Sequence, residues 1–419
     1  MTLVASPSAI VARRAVIVAR NASARERLWG MTLVERLLRQ LSEVGVSHAV
    51  VLHPAAWGTE PSLLRADFAD WTEIEVELRP VEGEGELDAV AAALDPEGCP
   101  TIVLDAHIVI DTRILRHLAT SEEAVRFVEE DLPADSALVM AVTPDLWEVR
   151  HDASTGPKTL SAEDLDAYLQ KTRKHVRPSV LAVHGARDLH RAARETFGAV
   201  YKGATDFITK WVFYHPARWI VGWVSPTAIT PNQITALSMV ISFGAIVPFF
   251  MGEYRLAVVM GLVMALLDTV DGKLARTTLR TSTSGDLLDH VSDTAYLLLW
   301  YVGLGWSLTG GRLFDLSDPS ARAHAVLLLA FVADKILTGL YKRIHGFELH
   351  DYTRIDYVAR IFIARRNPFL VGMIIALALG RPALGLQIIA AWYVATFAFH
   401  LSRFIYLPLA GVPHQSQNA

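Results

Sequence analysis

From residue 231 onward the chain repeats one pattern: mostly apolar stretches separated by short polar turns. A transmembrane helix needs about 20 such residues. Six stretches meet or approach that length, near 231–250, 254–276, 286–306, 322–342, 367–380 and 383–406, the fifth being the shortest. Composition agrees, since 52% of the 419 residues are apolar and 20% are charged, where soluble domains carry about 25% charged residues. The loops at 277–285 and 342–366 hold Arg280, Lys342, Arg343, Arg354, Arg360, Arg365 and Arg366, whereas those near 251–255 and 307–321 hold few cations. Positive loops stay inside. The expectation is a multi-pass protein of the cell (inner) membrane, with its amino-terminal domain and carboxyl terminus in the cytoplasm.

The net charge of −5 excludes a dedicated nucleic-acid binder, and it hides two unlike halves. Residues 1–200 carry 21 basic and 31 acidic side chains, and the remainder 18 and 13, so the halves stand at −10 and +5. In the first half, strand-like runs at 15–19, 48–53, 101–105 and 137–143 alternate with helical patterns such as 31–45. This alternation predicts an α/β soluble domain with a mostly parallel sheet, fused to an all-α membrane domain of six transmembrane helices. The boundaries expected are 1–200 for the cytoplasmic α/β domain, 201–228 for a juxtamembrane helix, 229–410 for the membrane domain and 411–419 for a flexible tail. Residues 201–228 mix Trp211, Phe213, Trp219 and Trp223 with Lys202, Lys210 and Arg218, a pattern that suits an amphipathic helix at the membrane surface; a linker helix packed on the soluble domain is the alternative. The single Cys99 excludes an internal disulfide framework and any multi-cysteine zinc site. The apolar run at 15–19 is bracketed by Arg13, Arg14 and Arg20 with no cleavage pattern after it, which does not make a signal peptide.

Carboxylates stand where a membrane should exclude them. Asp268 and Asp271 are three apart and Asp289 and Asp293 four apart, so each pair projects from one face of its helix. The pairs lie at the cytoplasmic ends of two apolar segments joined by a short loop. Four converging carboxylates repel unless cations neutralise them, and hard oxygen donors suit Mg²⁺ or Mn²⁺, two ions being expected, which can clamp a diphosphate. Gly272 and Gly285 remove side chains beside the acids, Ala275 continues the narrow face, and Arg276 can place a guanidinium on phosphate. A polar network that only holds two helices together is the bland alternative, and an ion transporter using intramembrane acids is another.

This stretch, D-x2-D-G-x2-A-R-x8-G-x3-D-x3-D, resembles the signature of the CDP-alcohol phosphotransferases, and the resemblance extends over roughly 201–408 to include ITPNQIT at 229–235. It implies six membrane helices, a homodimer and a CDP-linked lipid such as CDP-diacylglycerol as donor. It also implies that Asp268, Asp271, Asp289 and Asp293 bind metal, with Asp293 also the general base. Thr230, Pro231, Asn232, Gly272, Ala275, Arg276 and Gly285 would join Asp268 and Asp271 in the CDP site. The acceptor hydroxyl would attack the β-phosphorus and release CMP. Lys342, Arg343, Arg365, Arg366 and Arg403 form a candidate pocket for a phosphorylated polar alcohol, inositol phosphate or glycerol phosphate, and they resemble the basic residues of the inositol-phosphate branch; contact with membrane-lipid headgroups is the alternative.

Residues 15–53 resemble the start of a sugar-nucleotidyltransferase, in which a strand leads into a glycine-rich loop and a helix. The loop RNASARERLWG departs from that pattern by lacking most of its glycines and the following lysine, and the strand TIVLD places Asp105 or Ala106, with His107 beside it, near the family's metal-binding aspartate. The resemblance implies a degenerate transferase domain of structural, docking or regulatory use. An active cytidylyltransferase, making the protein bifunctional, is the other reading.

Overall fold

The computed structural model describes residues 11–20, 22–58, 63–70, 72–82, 86–129, 139–144, 147, 158–169, 174–201, 205–280, 283–346, 349 and 353–409; the side chains of 168, 169, 174, 283–293 and 354 lie outside that description. The chain divides into two compact units. One holds residues 1–167 and 175–199 with Thr277–Leu279, and the other holds 168–174, 200–276 and 280–419.

The first unit is built on a seven-stranded sheet. Its strands are β1 (Arg14–Val18), β2 (His48–Pro54), β3 (Glu75–Val81), β4 (Thr101–Asp105), β5 (Val125–Phe127), β6 (Val139–Val142) and β7 (Lys158–Leu160), in the spatial order β7-β5-β6-β4-β1-β2-β3. Pairings β1–β2, β1–β4, β2–β3 and β5–β7 are parallel, and β6 runs antiparallel to both neighbours. Successive side chains on a strand face opposite ways. Ala15, Ile17, Ala49, Val51, Ile102 and Leu104 enter one buried cluster, while Val16, Val18, Val50, Leu52 and Val103 enter the other. A sheet covered on both faces needs continuous apolar strands, and this is why AVIVA and TIVLD read as runs without alternation.

After β1 the chain makes a short turn at Ala22–Arg25 and then a hairpin pairing Arg27–Leu28 with Met31–Thr32. Its two turn residues, Trp29 and Gly30, have φ of 54° and 78°. That pair of positive angles is what a two-residue hairpin turn of matching twist demands. Thr32 then caps helix α1 (Leu33–Glu43) by accepting from the Glu35 N–H at 3.0 Å. The loop that departs from the glycine-rich pattern is therefore occupied by a small hairpin. Helices α2 (Glu86–Ala91), α3 (Thr112–Thr120) and α4 (Ala186–Ala199) also belong to this unit.

The second unit is helical. After a π-helical turn at Ile208–Val212 come α5 (Tyr214–Val224), α6 (Pro231–Met251), α7 (Tyr254–Thr277), α8 (Thr283–Thr309), α9 (Pro319–His345), α10 (Arg354–Phe362), α11 (Arg366–Ala378) and α12 (Pro382–Leu409). Every apolar stretch read from the sequence coincides with one of these helices. Helix α6 breaks at Ala245, where the ring of Pro248 crowds the carbonyl four residues earlier, that of Gly244. Among the described residues, α6, α9 and α12 are long and apolar enough to cross a membrane, and α10 with α11, bent by 44°, would make a fourth. Helix α7 misses that composition because it carries Arg255, Asp268, Asp271, Lys273 and Arg276 among its 24 residues. A buried cluster including Phe249, Trp300, Tyr301, Phe331, Phe369 and Tyr393 joins α6, α8, α9, α11 and α12.

Candidate functional site

The two aspartates of α7 are held by different neighbours. Thr230 caps α6 with Gln233 in a reciprocal capping box and Pro231 follows at the first helical position, the arrangement that starts a helix sharply. One turn on, Thr235 Oγ1 donates to Asp271 Oδ2 at 2.6 Å, and the Gly272 N–H donates to Asp271 Oδ1. Asp271 is 7% exposed. Its carboxylate therefore sits in a nearly dry site with two fixed donors, a costly arrangement that persists because both bonds orient it.

Asp268, one turn earlier, is half-buried. Arg366 Nη2 donates to its Oδ2 at 2.7 Å, and Arg366 Nη1 donates to the Tyr296 hydroxyl at 2.7 Å. The guanidinium thus links the start of α11 to α7 and α8. Close approach of α7 and α11 depends on Gly261, where a Cβ would stand 2.7 Å from Leu370 Cδ2. At Gly272 the neighbour lies on the same helix: a Cβ there would meet an Arg276 guanidinium nitrogen at 3.0 Å. Ala275 and Arg276 are half-buried on the same helix, and Asn232 is exposed at the start of α6.

Gly285, Asp289 and Asp293 lie on α8, whose later turn carries Tyr296, but their side chains are outside the described residues. Among the described residues no group of three His, Cys, Asp or Glu gathers as a metal site. Asp268 and Asp271 stand one turn apart on α7. They offer carboxylate oxygens on one face, and a positive group, Arg366, already lies against Asp268.

The five cations named for an acceptor have unequal surroundings. Lys342 and Arg343 are exposed in the last turn of α9. Arg403 is committed to Asp356, donating from Nε and Nη2 at 2.6 and 2.8 Å, and to Thr353 Oγ1 at 3.2 Å. Arg366 is engaged as above. Arg365 is half-buried and, among the described residues, its guanidinium holds no hydrogen bond or ion pair.

Several polar contacts were not assigned from the sequence. Thr235 and Tyr296 touch the site directly. Asp206, on the segment before α5, accepts from the Thr209 N–H at 3.0 Å, from Thr209 Oγ1 at 2.9 Å and from Asn367 Nδ2 at 3.0 Å. Burial alone would raise the Asp206 carboxyl, but the charge of Arg365 and the bonds from Thr209 and Asn367 together hold it below the ordinary carboxylate value. Farther along, Asp334 and His400 share a buried hydrogen bond of 2.6 Å between α9 and α12. A composite signal, polar residues inside otherwise apolar segments, marks Asp334 and His400 in the sequence.

Residues 228–343 match the family model described as CDP-alcohol phosphatidyltransferase. That segment belongs to this family. Over 87 residues the chain is 36% identical to the archaetidylinositol phosphate synthase of Pyrococcus horikoshii, a stretch of 19% of this chain and 46% of the relative, so the chain spans about half the length of the curated relative it matches. Among solved structures, the phosphatidylinositol phosphate synthase of Mycobacterium tuberculosis with CDP-DAG bound is similar at 18% identity, with 46% of this chain and 94% of that one covered and a TM-score of 0.35. A form of the same synthase with manganese and citrate aligns at 19% identity, 46% and 88% coverage and a TM-score of 0.35. UDP-glucose pyrophosphorylase from Acinetobacter baumanii aligns with 44% of this chain and 93% of its own at 10% identity and a TM-score of 0.32. Asp268, Asp271 and Thr235 all lie inside the matched segment.

Proposed function

We propose that the chain is an integral-membrane CDP-alcohol phosphotransferase, moving a substituted phosphate from a CDP-linked lipid, CDP-diacylglycerol or a relative, to the hydroxyl of a phosphorylated polar alcohol and releasing CMP. The observation that carries this reading is the buried Asp271, oriented by Thr235 and placed one turn from Asp268 inside the matched segment. Mg²⁺ or Mn²⁺, two ions in this reading, would be held by Asp268, Asp271, Asp289 and Asp293 and would supply charge neutralisation on the diphosphate. Arg276, lying against Gly272, and the start of α6 at Thr230, Pro231 and Asn232 bind and orient the cytidine diphosphate together with Ala275 and Gly285. Asp293 takes the proton of the acceptor hydroxyl as that oxygen attacks the β-phosphorus, and CMP leaves with the electron pair of the broken phosphoanhydride bond. Arg365 is the acceptor-side cation best placed to receive a phosphate, because its half-buried guanidinium has no hydrogen-bonding partner among the described residues. Inositol phosphate is the acceptor favoured by the name of the Pyrococcus relative, with glycerol phosphate the second candidate.

Around this centre we read six spans, α6 to α9, α11 and α12, cytoplasmic basic loops and both termini inside, and a homodimer. The boundaries stay at 1–200, 201–228, 229–410 and 411–419, the tail lying outside the described residues. The α/β unit is read as a nucleotidyltransferase-like domain without its transferase activity; the Trp29–Gly30 hairpin in place of a glycine-rich phosphate loop favours that over a bifunctional enzyme.

The test is CMP release by the purified chain with CDP-diacylglycerol and Mg²⁺ or Mn²⁺, screened against inositol phosphate, glycerol phosphate, inositol and serine. Asp293→Asn should lower turnover at least a thousandfold, an effect on the scale of a lost general base, while CDP-lipid binding persists. Normal CMP release by that variant removes Asp293 from the role. Cation flux in proteoliposomes without CMP release overturns the whole reading in favour of a transporter.

A further inference from the structure

Three helices of the second unit are fixed by their own capping side chains: Thr230 for α6, Asp318 for α9 and Thr353 for α10. Helix α11 starts differently. Its cap position is Arg365, which makes no capping bond, so the orientation of its first turn is set by contacts from outside the helix. The Ala364 N–H donates to Thr396 Oγ1 at 2.8 Å, Arg366 reaches Asp268 and Tyr296, and Asn367 donates to Asp206 and to Thr209 Oγ1, each at 3.0 Å.

Asp206 is the charged member of this arrangement, and it is 6% exposed. It sits on a segment that braces two helices at once. Phe207, Ile208 and Phe213 pack with Leu262, Ala265 and Leu266 of α7 and with Val371 of α11. At the near end of the segment, the Lys273 ammonium of α7 lies 4.1 Å from the centre of the Tyr201 ring. The segment therefore touches the helix that carries Asp268 and Asp271 and the helix that follows Arg365, and Asp206 is its polar anchor on the second of them. A brace with a buried carboxylate costs desolvation that an apolar side chain would not, and the three bonds to Asp206 offset it only in one geometry. That geometry fixes Asn367, hence the two residues before it.

We propose that Asp206 is a positioning residue for the acceptor site: by holding Asn367 it fixes the first turn of α11 and so presents Arg365 to the phosphate of the acceptor alcohol. This rests on the phosphotransferase reading above, in which Arg365 receives that phosphate. Asp206 touches no reacting atom. Besides its charge beside Arg365, its effect runs through Asn367, and the two ends of that hydrogen bond should behave as one unit.

The experiment is a double-mutant cycle in the purified full-length chain with Mn²⁺, reading KM for the phosphorylated acceptor and KM for CDP-diacylglycerol separately. Asp206→Ala and Asn367→Ala are each expected to raise the acceptor KM about tenfold, the double variant no further, with the CDP-lipid KM within about twofold of the parent, the pattern of one shared interaction. Asp206→Asn keeps an oxygen for Asn367 and for the Thr209 N–H, and is expected to stay within about threefold of the parent. An unchanged acceptor KM, a double variant near a hundredfold, an equal rise in both KM values, or an Asp206→Asn variant as poor as the alanine one each overturns the proposal. Should Asp206→Ala fail to fold, Asn367→Ala alone decides through the same split. Affinity for inorganic phosphate, measured by calorimetry on the same proteins without CDP-lipid, separates the two levels. A parent chain that releases no CMP with any acceptor defeats the phosphotransferase reading, whereas phosphate affinity unaltered by Asn367→Ala defeats the role of Asp206.

Discussion

Thr235 shows how much of a charged site rests on a neutral side chain. Its hydroxyl is the donor that meets Asp271 from a different helix, and the pair is 36 residues apart in sequence. A hydrogen bond to a charged group contributes about 1.5–3 kcal/mol, and outer partners of metal-binding groups typically change metal affinity by about 10–100-fold. Thr235→Val, which keeps shape and removes the donor, should therefore weaken the Mn²⁺ dependence of CMP release by about tenfold or more while leaving the helix fold intact. A manganese titration of the variant checks this, and an unchanged midpoint would mean that Asp271 is oriented by the Gly272 N–H alone. The aspartates were legible because a carboxylate in an apolar helix stands out by its cost. Thr235 closes the ITPNQIT motif, but its role was not legible, since hydroxyls are common in such helices and nothing local reveals a partner 36 residues on. Asp206 hid for the same reason, its partner Asn367 lying 161 residues away.

At the scale of elements, local pattern reported helices well and edges poorly. The apolar stretches coincide with α6 to α9, α11 and α12, yet the break in α6 depends on how Pro248 meets the turn before it. In the sheet, the continuous apolar strands β1, β2, β4 and β6 were readable. β3, an edge strand reading EVELRPV with Pro80 in it, was missed because its alternate residues are charged and exposed, and β5 and β7 are three residues each. Arg403 belongs to this scale too. Its fork on Asp356, which is fully buried, ties the start of α10 to α12. Removing one member of such a pair strands a buried charge, at about 3–5 kcal/mol. Arg403→Ala should thus lower the thermal unfolding midpoint by several degrees, whereas Arg403→Lys should lose less. If the alanine variant unfolds as the parent does and only the acceptor KM rises, then Arg403 serves the substrate and not the joint between helices.

For the whole molecule the charge asymmetry makes a prediction about sidedness. The acidic α/β unit and the basic loops at 277–285 and 342–366 should lie on the same face of the membrane, because positively charged loops are retained inside. The chain carries a built-in reporter: Cys99 is its single cysteine, and it is exposed on the α/β unit. A maleimide that cannot cross the bilayer should label Cys99 fully in inside-out vesicles and leave it unmodified in intact spheroplasts until detergent is added. Labelling in intact spheroplasts would place the α/β unit outside. It would also reverse the assignment of the Asp268–Asp271 end of α7 to the cytoplasmic side, where a membrane-held CDP-lipid headgroup and a soluble phosphorylated alcohol can both be met. An engineered cysteine in the loop near 307–321, in a Cys99→Ser background, should give the opposite pattern, and the two together fix an odd number of crossings between 200 and that loop. Three crossings, by α6, α7 and α8, satisfy that parity, and two do not.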